Sequence, residues 1–187
     1  MRQSQNTAGL RFIRMALEKN AHESVRTALA EAYPRLWRFC LTTTGRRDRA
    51  DDLAQMASLR ALEKAHLFEP GTALDRWVFR IAQRIWLNEL RAETVRQGGG
   101  VSQVDDIDLP DERASTETNV FARQVFATVM ALPEAQRTAV VLVYVEGYSY
   151  KEAAAILEIP IGTVMSRLAA ARARLSSPSS EAKGARA

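Results

Sequence analysis

The chain has 187 residues, 47% hydrophobic and 26% charged, a composition typical of globular proteins with one medium domain or two small ones. Its formal charge is only +4, with 26 Lys and Arg against 22 Asp and Glu, which permits a polyanionic partner without requiring one. Because no signal-like N-terminus and no run of about 18 apolar residues occur, we expect a cytoplasmic protein that neither spans a membrane nor is secreted.

Few side chains are suited to metal binding or nucleophilic catalysis. Cys40 is the single cysteine, which excludes an intramolecular disulfide, and we interpret it as a small buried apolar residue. The two histidines, His22 and His66, lie far apart without metal-ligand spacing. We therefore expect no metal, no cofactor and no enzymatic activity.

Helical periodicity forms two blocks separated by a stretch with three consecutive glycines and an acidic run. This pattern predicts an all-α fold of two small domains joined by a flexible acidic linker. Both chain ends are expected to be frayed or disordered. The predicted segments are an N-terminal extension (1–23), a first domain (24–96), the linker (97–118), a second domain (119–175) and a tail (176–187).

Three helices are predicted in the first block. Two have core faces marked by Val25, Leu29, Leu36 and Phe39, and by Leu53, Ala57 and Ala61. The third opens with Thr72 as N-cap and buries a stripe made of Leu74, Trp77, Val78, Ile81 and Ile85. A basic ridge lies beside that stripe and suits either a solvated face or nucleic-acid contact; it consists of Arg76, Arg80, Arg84, Asn88 and Arg91.

The second block contains one ambiguous segment, residues 140–145, which is β-branched enough for a buried strand. Pro133 at a first helical position and Gly147 at a C-terminal cap favour a helix instead. Ser149 and Glu152 then form a capping box that starts a short helix ending near Glu158.

A further helix follows, with Pro160 in its first turn and a predicted buried stripe of Val164, Leu168, Ala171 and Leu175. Two helices joined by a tight turn form either a helix-turn-helix motif or an ordinary helical hairpin. The polar and basic side chains outside the stripe favour DNA binding by the second helix, and they are Thr163, Met165, Ser166, Arg167, Arg172 and Arg174.

Residues 152–168 resemble the C-terminal DNA-binding domain of extracytoplasmic-function (ECF) sigma factors, and residues 132–137 resemble the opening of that domain. In the first block, residues 50–55 resemble the polymerase-binding helix of sigma domain two, and residues 77–82 and 88–91 its promoter-melting helix. The sequence departs from the usual family residues at Glu158, Met165, Arg84 and Asn88, of which Glu158 stands where glycine is usual.

The resemblance implies an alternative sigma factor that binds the RNA polymerase core through Asp52, Leu53 and Gln55 on the clamp of the largest subunit, and that an anti-sigma factor holds in check. It implies melting of the downstream promoter element by Phe68, Arg76, Trp77, Arg80, Arg84, Asn88 and Arg91. It implies recognition of the upstream element by the helix-turn-helix residues Thr163, Ser166, Arg167, Arg172 and Arg174. The acidic linker would either imitate nascent RNA in the polymerase channel or act as a solvated spacer.

Two other protein classes remain open at this point. A sigma mimic would have the same fold and bind an anti-sigma factor without engaging polymerase, but such regulators carry a receiver domain for which no α/β block exists here. A plain helix-turn-helix repressor would leave the domain-two resemblance unexplained. An enzyme is the least favoured class.

Overall fold

The computed structural model describes residues 2–69, 71–96 and 117–176. These ranges contain helices and turns but no strand, which confirms the predicted all-α fold. Seven α-helices follow one another: α1 (Arg2–Thr44), α2 (Arg47–Glu63), α3 (Leu74–Arg96), α4 (Glu117–Met130), α5 (Glu134–Val140), α6 (Tyr150–Leu157) and α7 (Ile161–Ser176).

Helices α1, α2 and α3 pack together as the first domain. The predicted core residues of α1 and α2 are buried, and the rings of Phe39 and Phe79 stack with centroids 4.8 Å apart. Burying such a side chain contributes about 1.5 to 3 kcal/mol to folding. Cys40 is also fully buried, as expected, and burial raises the pKa of its thiol.

The N-terminal part of the chain differs from expectation. Helix α1 begins at Arg2, so the prediction of a frayed N-terminal extension is wrong, and residues 2–23 continue the helix that carries the first core residues. The predicted acidic linker lies outside the described residues except for its last two positions, which belong to α4. The predicted tail lies outside them after Ser176.

The start of α3 also differs from the prediction. The helix begins at Leu74, and the Ala73 carbonyl accepts a hydrogen bond from the Trp77 amide at 3.4 Å. Thr72 is therefore not the N-cap. Its hydroxyl instead donates to the Glu69 carbonyl at 2.7 Å and stabilises the turn that precedes the helix.

The buried face of α3 is wider than the predicted stripe because α3 contacts both the helices of its own domain and α6. Trp77, Ile81 and Ile85 are only half-buried. The most deeply buried side chains include three that the stripe omitted: Phe79, Ala82 and Trp86.

The ambiguous segment of the second block is helical, as the flanking residues predicted. It continues α5 as a wider π turn, Val141–Val145, in which the Glu146 amide donates to the Val141 carbonyl at 2.9 Å. Pro133 occupies the N-cap of α5, one position before the predicted one, and Gly147 ends the unit with φ of +78°.

Candidate nucleic-acid interface

Helices α6 and α7 form the predicted helix-turn-helix. They are bent by 105°, within the range of about 90 to 120° typical of this motif. The capping box is present, since the Ser149 hydroxyl accepts from the Glu152 amide at 3.3 Å and the Glu152 carboxylate accepts from the Ser149 amide at 2.9 Å. Ala153 and Ala154 are buried, so the helices approach closely.

Glu158 makes the turn between the two helices. Its φ of 55° and ψ of 44° are left-handed, and it is the one residue other than glycine with positive φ in the described part of the chain. A side chain in this conformation costs about 1 kcal/mol relative to glycine. The turn is therefore strained, and the residue that makes it carries a carboxylate.

The recognition helix α7 buries Val164, Leu168 and Ala171 completely. Leu175, in the final turn, is 41% exposed, so its predicted place in the buried stripe is wrong. The predicted DNA-contact residues all lie outside the fully buried set: Thr163 and Arg167 are half-buried, and Ser166, Arg172 and Arg174 are exposed. The prediction of a polar, basic outer face on α7 agrees with this placement.

The basic ridge of α3 faces the helix-turn-helix. Arg76 Nη1 contacts Glu152 Oε1 at 2.8 Å. Arg84 binds Glu158 through two guanidinium nitrogens, with Nε at 2.9 and 3.0 Å from the two carboxylate oxygens. Arg84 and Glu158, two departures from the usual family residues, therefore contact each other.

Both acidic partners are stabilised in their charged forms. Hydrogen bonds from the Ser149 hydroxyl and amide lower the pKa of Glu152, and the Arg76 charge adds to this effect. The hydrogen bond from Arg84 lowers the pKa of Glu158. Both carboxylates are therefore ionised, and available for ion pairing, at neutral pH.

The remaining ridge residues are not bound to carboxylates in this way. Arg80 is half-buried, and its Nε lies in the interior without a hydrogen-bond partner. Further along α3, Arg91 Nη1 donates to Asn88 Oδ1 at 3.1 Å on the exposed surface. Arg76 and Arg84 of the ridge are therefore ion-paired with the second domain, whereas Asn88 and Arg91 are exposed to solvent.

A cleft of about 820 Å³ lies where the start of α3 meets α6. Phe68 and Trp77 line it, with ring centroids 5.4 Å apart and planes inclined by 44°. Arg80 and Lys151 also line it. The structure therefore brings the predicted aromatic pair and the first half of the basic ridge together, so one cleft combines a stacking surface with three basic side chains, beside the carboxylates of Glu69 and Glu152.

The predicted polymerase-docking residues separate into two groups. Asp52 and Gln55 are exposed on α2, but Leu53 is only 1% exposed and belongs to the core, so its assignment as a docking contact is wrong. Met56 and Leu59 are 39% and 60% exposed and share the outer face of α2 with Asp52, one and two turns away. Their helical spacing from Asp52 is a signal that could have identified them.

Asp51, next to the docking face, has a structural role. Its Oδ1 accepts a hydrogen bond from Trp37 Nε1 at 2.6 Å, which ties α2 to α1. Asp52, one residue along the helix, is exposed. Asp51 is therefore engaged within the fold, whereas the Asp52 side chain faces solvent.

Arg137 is a buried connection between the two domains. The side chain is 3% exposed, and its guanidinium donates to the Thr42 and Thr43 carbonyls at the end of α1. It also donates to the carbonyls of Met130 at 3.0 Å and Leu132 at 3.4 Å, at the end of α4. One cation thus satisfies the open carbonyls at the C-terminal ends of two helices.

Other contacts cross the same interface. Trp86 Nε1 donates to Glu134 Oε1 at 2.8 Å, and the ring of Phe79 meets Tyr148 edge-on with centroids 6.1 Å apart. Burial raises the pKa of Glu134, although the Trp86 hydrogen bond and the charges of Arg137 and Arg167 oppose this.

A second polar group lies at the edge of the interface. Arg35 of α1 forms ion pairs with Asp75 and with Glu146, the latter at 2.6 Å. Although burial alone would raise the pKa of Asp75, hydrogen bonds from the Tyr148 hydroxyl and the Arg76 amide, with the Arg35 charge, lower it.

The described residues, 2–69, 71–96 and 117–176, contain no group of three or more His, Cys, Asp or Glu placed to hold a metal ion. Among the helices of these ranges, none is by itself long and apolar enough to cross a membrane; the bent α6–α7 pair has sufficient length and apolar composition only when its two helices are taken together.

A helix-turn-helix packed against a second domain with a row of arginines is the architecture of a DNA-binding transcription protein. Comparison with known families shows to which class of transcription protein the chain is similar. Residues 29–96 match the Sigma-70 region 2 family, and residues 122–175 match the Sigma-70, region 4 family.

Individual relatives agree with these family matches. The chain is 35% identical over 156 residues to the ECF RNA polymerase sigma factor EcfG of Rhodopseudomonas palustris, covering 82% of this chain and 84% of the relative. It is 35% identical to the ECF RNA polymerase sigma factor SigM of Mycobacterium tuberculosis, over 75% and 69% of the two chains. The chain belongs to the family of ECF RNA polymerase sigma factors.

Solved structures show the same likeness. The sigma factor RpoE of Bartonella quintana, solved with the anti-sigma factor NepR, is 30% identical with a TM-score of 0.66, covering 82% of this chain and 94% of that one. CnrH, solved with the cytosolic domain of CnrY, has a TM-score of 0.56 at 23% identity and supports the fold.

Proposed function

We propose that this sigma factor binds the RNA polymerase core enzyme in the cytoplasm, directs it to a restricted set of promoters, and has no enzymatic activity of its own. The observation that carries the proposal is the presence, in one chain and in order, of a region 2 match and a region 4 match. A plain helix-turn-helix repressor would leave the region 2 match without a role.

The proposed polymerase contact is the outer face of α2. Asp52 and Gln55 supply a carboxylate and an amide that pair with basic and amide groups on the clamp of the largest subunit. Met56 and Leu59 supply exposed apolar area beside them. A polar pair next to an apolar patch suits a protein interface, where the apolar part contributes buried area and the charge contributes specificity.

The proposed contact with the downstream promoter element is the α3 ridge and the adjoining cleft. Arginine side chains there hold the DNA backbone, and the aromatic pair supports an unstacked base at about 1 to 3 kcal/mol. The residues proposed for this role are Phe68, Arg76, Trp77, Arg80, Arg84, Asn88 and Arg91.

The proposed contact with the upstream promoter element is the outer face of α7. Thr163, Ser166 and Arg167 lie in the N-terminal half of the helix, where a recognition helix meets base edges in the major groove. Arg172 and Arg174 lie near its far end and contact phosphates, which position the protein without reading sequence.

An anti-sigma factor is the proposed regulator. The support for this proposal is the likeness to RpoE, which was solved in complex with the anti-sigma factor NepR. A sigma mimic would share this regulator but would not direct initiation, so transcription assays separate the two functions.

The test combines Asp52→Ala with Gln55→Ala in the full chain. We expect the double variant to lose promoter-directed transcription and to bind core polymerase at least about tenfold more weakly, since deleting one member of a desolvated charged pair costs about 2 to 5 kcal/mol. Glu31→Ala is the matched control, because Glu31 is an exposed carboxylate on α1 rather than on the proposed docking face of α2. Asp51→Ala is unsuitable as a control because it removes the hydrogen bond to Trp37.

Three outcomes would contradict parts of this proposal. A double variant that binds core as tightly as the parent would contradict the docking surface. A parent protein that never binds core would contradict the sigma function itself. Tight core binding without initiation at any promoter of a genomic library would favour the sigma mimic.

A further inference from the structure

The two ion pairs between α3 and the helix-turn-helix involve arginines that are also proposed to hold DNA. Arg76 and Arg84 contact the carboxylates of Glu152 and Glu158, which belong to the first turn of α6 and to the turn before α7. A carboxylate and a DNA phosphate are both anions that accept hydrogen bonds from a guanidinium in the same forked geometry. Each arginine can therefore satisfy one of these anions or the other.

We propose that Glu152 and Glu158 act as an intramolecular substitute for DNA phosphates and keep the free protein in a closed, DNA-excluding arrangement. The proposal rests on the proposed DNA contacts of Arg76 and Arg84, and goes beyond them by assigning a regulatory function to two acidic residues of the second domain. Opening the domains frees the arginines, and DNA binding prevents the domains from closing again.

The geometry at Glu158 supports this assignment. The residue adopts a left-handed backbone conformation that glycine adopts without strain, yet it carries a side chain that reaches two nitrogens of Arg84. Its charge also acts on Arg80, the ridge residue whose Nε has no hydrogen-bond partner. One carboxylate thus binds Arg84 and interacts through its charge with Arg80, the adjacent arginine of the ridge.

The position of these ion pairs determines how strongly they act. Buried contacts, above all those of Arg137, hold the domains together, while the Arg84 and Glu158 side chains are 62% and 37% exposed. Exposed pairs are weak and are screened by salt, so each shifts an equilibrium by about 1.5- to 5-fold. Two pairs together bias the closed state by about 2- to 25-fold, which is enough to adjust DNA binding without preventing opening.

The experiment uses the full chain without polymerase and combines Glu152→Gln with Glu158→Gln. Glutamine is also accepted at the third position of a capping box. At position 158 it carries a side chain as glutamate does, so the left-handed backbone there is equally strained in the variant. The matched control combines Glu31→Gln with Glu63→Gln, which changes the net charge equally at two exposed positions of α1 and α2.

Two quantities are measured on each variant. The first is affinity for a fluorescently labelled mixed-sequence DNA duplex with a single-stranded overhang, at low salt. The second is the radius of gyration from small-angle scattering in the absence of DNA. Because the apparent affinity scales with the open fraction, we expect the Glu152 and Glu158 variant to bind DNA about 2- to 25-fold more tightly than the control and to be more expanded.

A charge reversal gives an independent check. Arg84→Glu places two carboxylates against each other and is expected to expand the free protein, whereas adding Glu158→Arg restores an ion pair and the parental radius of gyration. Equal DNA affinity in the neutralised variant and its control would overturn the proposal, as would an Arg84→Glu variant that stays compact. Failure of the proposed sigma function would instead be seen as absent core binding by the parent, a separate measurement.

Discussion

Removing the buried guanidinium of Arg137 tests the connection between the domains. Arg137→Ala leaves the carbonyls of Thr42, Thr43, Met130 and Leu132 without this donor and removes a positive charge that acts on Glu134. Hydrogen bonds to a charged group contribute about 1.5 to 3 kcal/mol each, but water entering the space recovers part of that loss. Removing one member of a buried charged interaction lowers the free energy of unfolding by about 3 to 5 kcal/mol, and we expect Arg137→Ala to lower it within this range.

Urea unfolding followed by circular dichroism measures this loss. With a slope of about 2 kcal/mol per molar urea, the midpoint is expected to fall by about 2 M. Arg137→Lys keeps the charge but replaces the planar fork with a single ammonium group, which cannot reach both helix ends, so we expect an intermediate loss. Arg172→Ala, at an exposed arginine, is the control and is expected to change stability by no more than about 0.5 kcal/mol. A loss below about 1 kcal/mol for Arg137→Ala would refute the reasoning.

Three further predictions concern the helix-turn-helix and its carboxylates. Glu158→Gly removes left-handed strain and is expected to stabilise an isolated second domain by about 1 kcal/mol, measured by thermal melting; no gain would contradict the strain. Arg167→Ala is expected to relax base preference in the upstream element, whereas Arg172→Ala weakens binding to all DNA and lowers the salt slope by about one; identical losses in binding assays would contradict this division. The pKa values of Glu152 and Glu158 are lowered, so their stabilisation is complete at pH 7 and is lost as pH falls below about 4.3 through those values. Glu134, whose pKa is raised, acts in the opposite direction, and Asp75, whose pKa is lowered, acts in the same direction, so the urea midpoint is expected to fall less between pH 7 and pH 3.5 in the Glu152→Gln, Glu158→Gln variant than in the parent.

Local features of the fold could be predicted from the sequence because they depend on residues close together in the chain. The capping box of Ser149 and Glu152 lies within one helical turn, and the buried stripe of α7 follows helical spacing up to Leu168. Periodicity gives only the face of a helix, however. It placed Leu53 on the core face, where the residue is buried one position from the exposed Asp52, and the docking role of Leu53 came only from the family resemblance.

The domain interface could not be predicted, because it depends on how two separate helical units meet. Arg84 and Glu158 are 74 positions apart, and each reads in sequence as an ordinary surface charge. Phe79 and Trp86 lie outside the expected core stripe of α3, since they are buried only where α3 meets both its own domain and the second one.

The hydrogen bond between Trp86 and Glu134 gives the molecule an optical property. Of the three tryptophans, Trp37 is bonded to Asp51 within the first domain and Trp77 lies beside Phe68, whereas Trp86, 3% exposed, donates across the interface. Separating the domains would exchange the carboxylate partner of Trp86 for water, which shifts its fluorescence emission to longer wavelength. The indole of Trp86 is therefore a built-in, label-free reporter of whether the two domains are together.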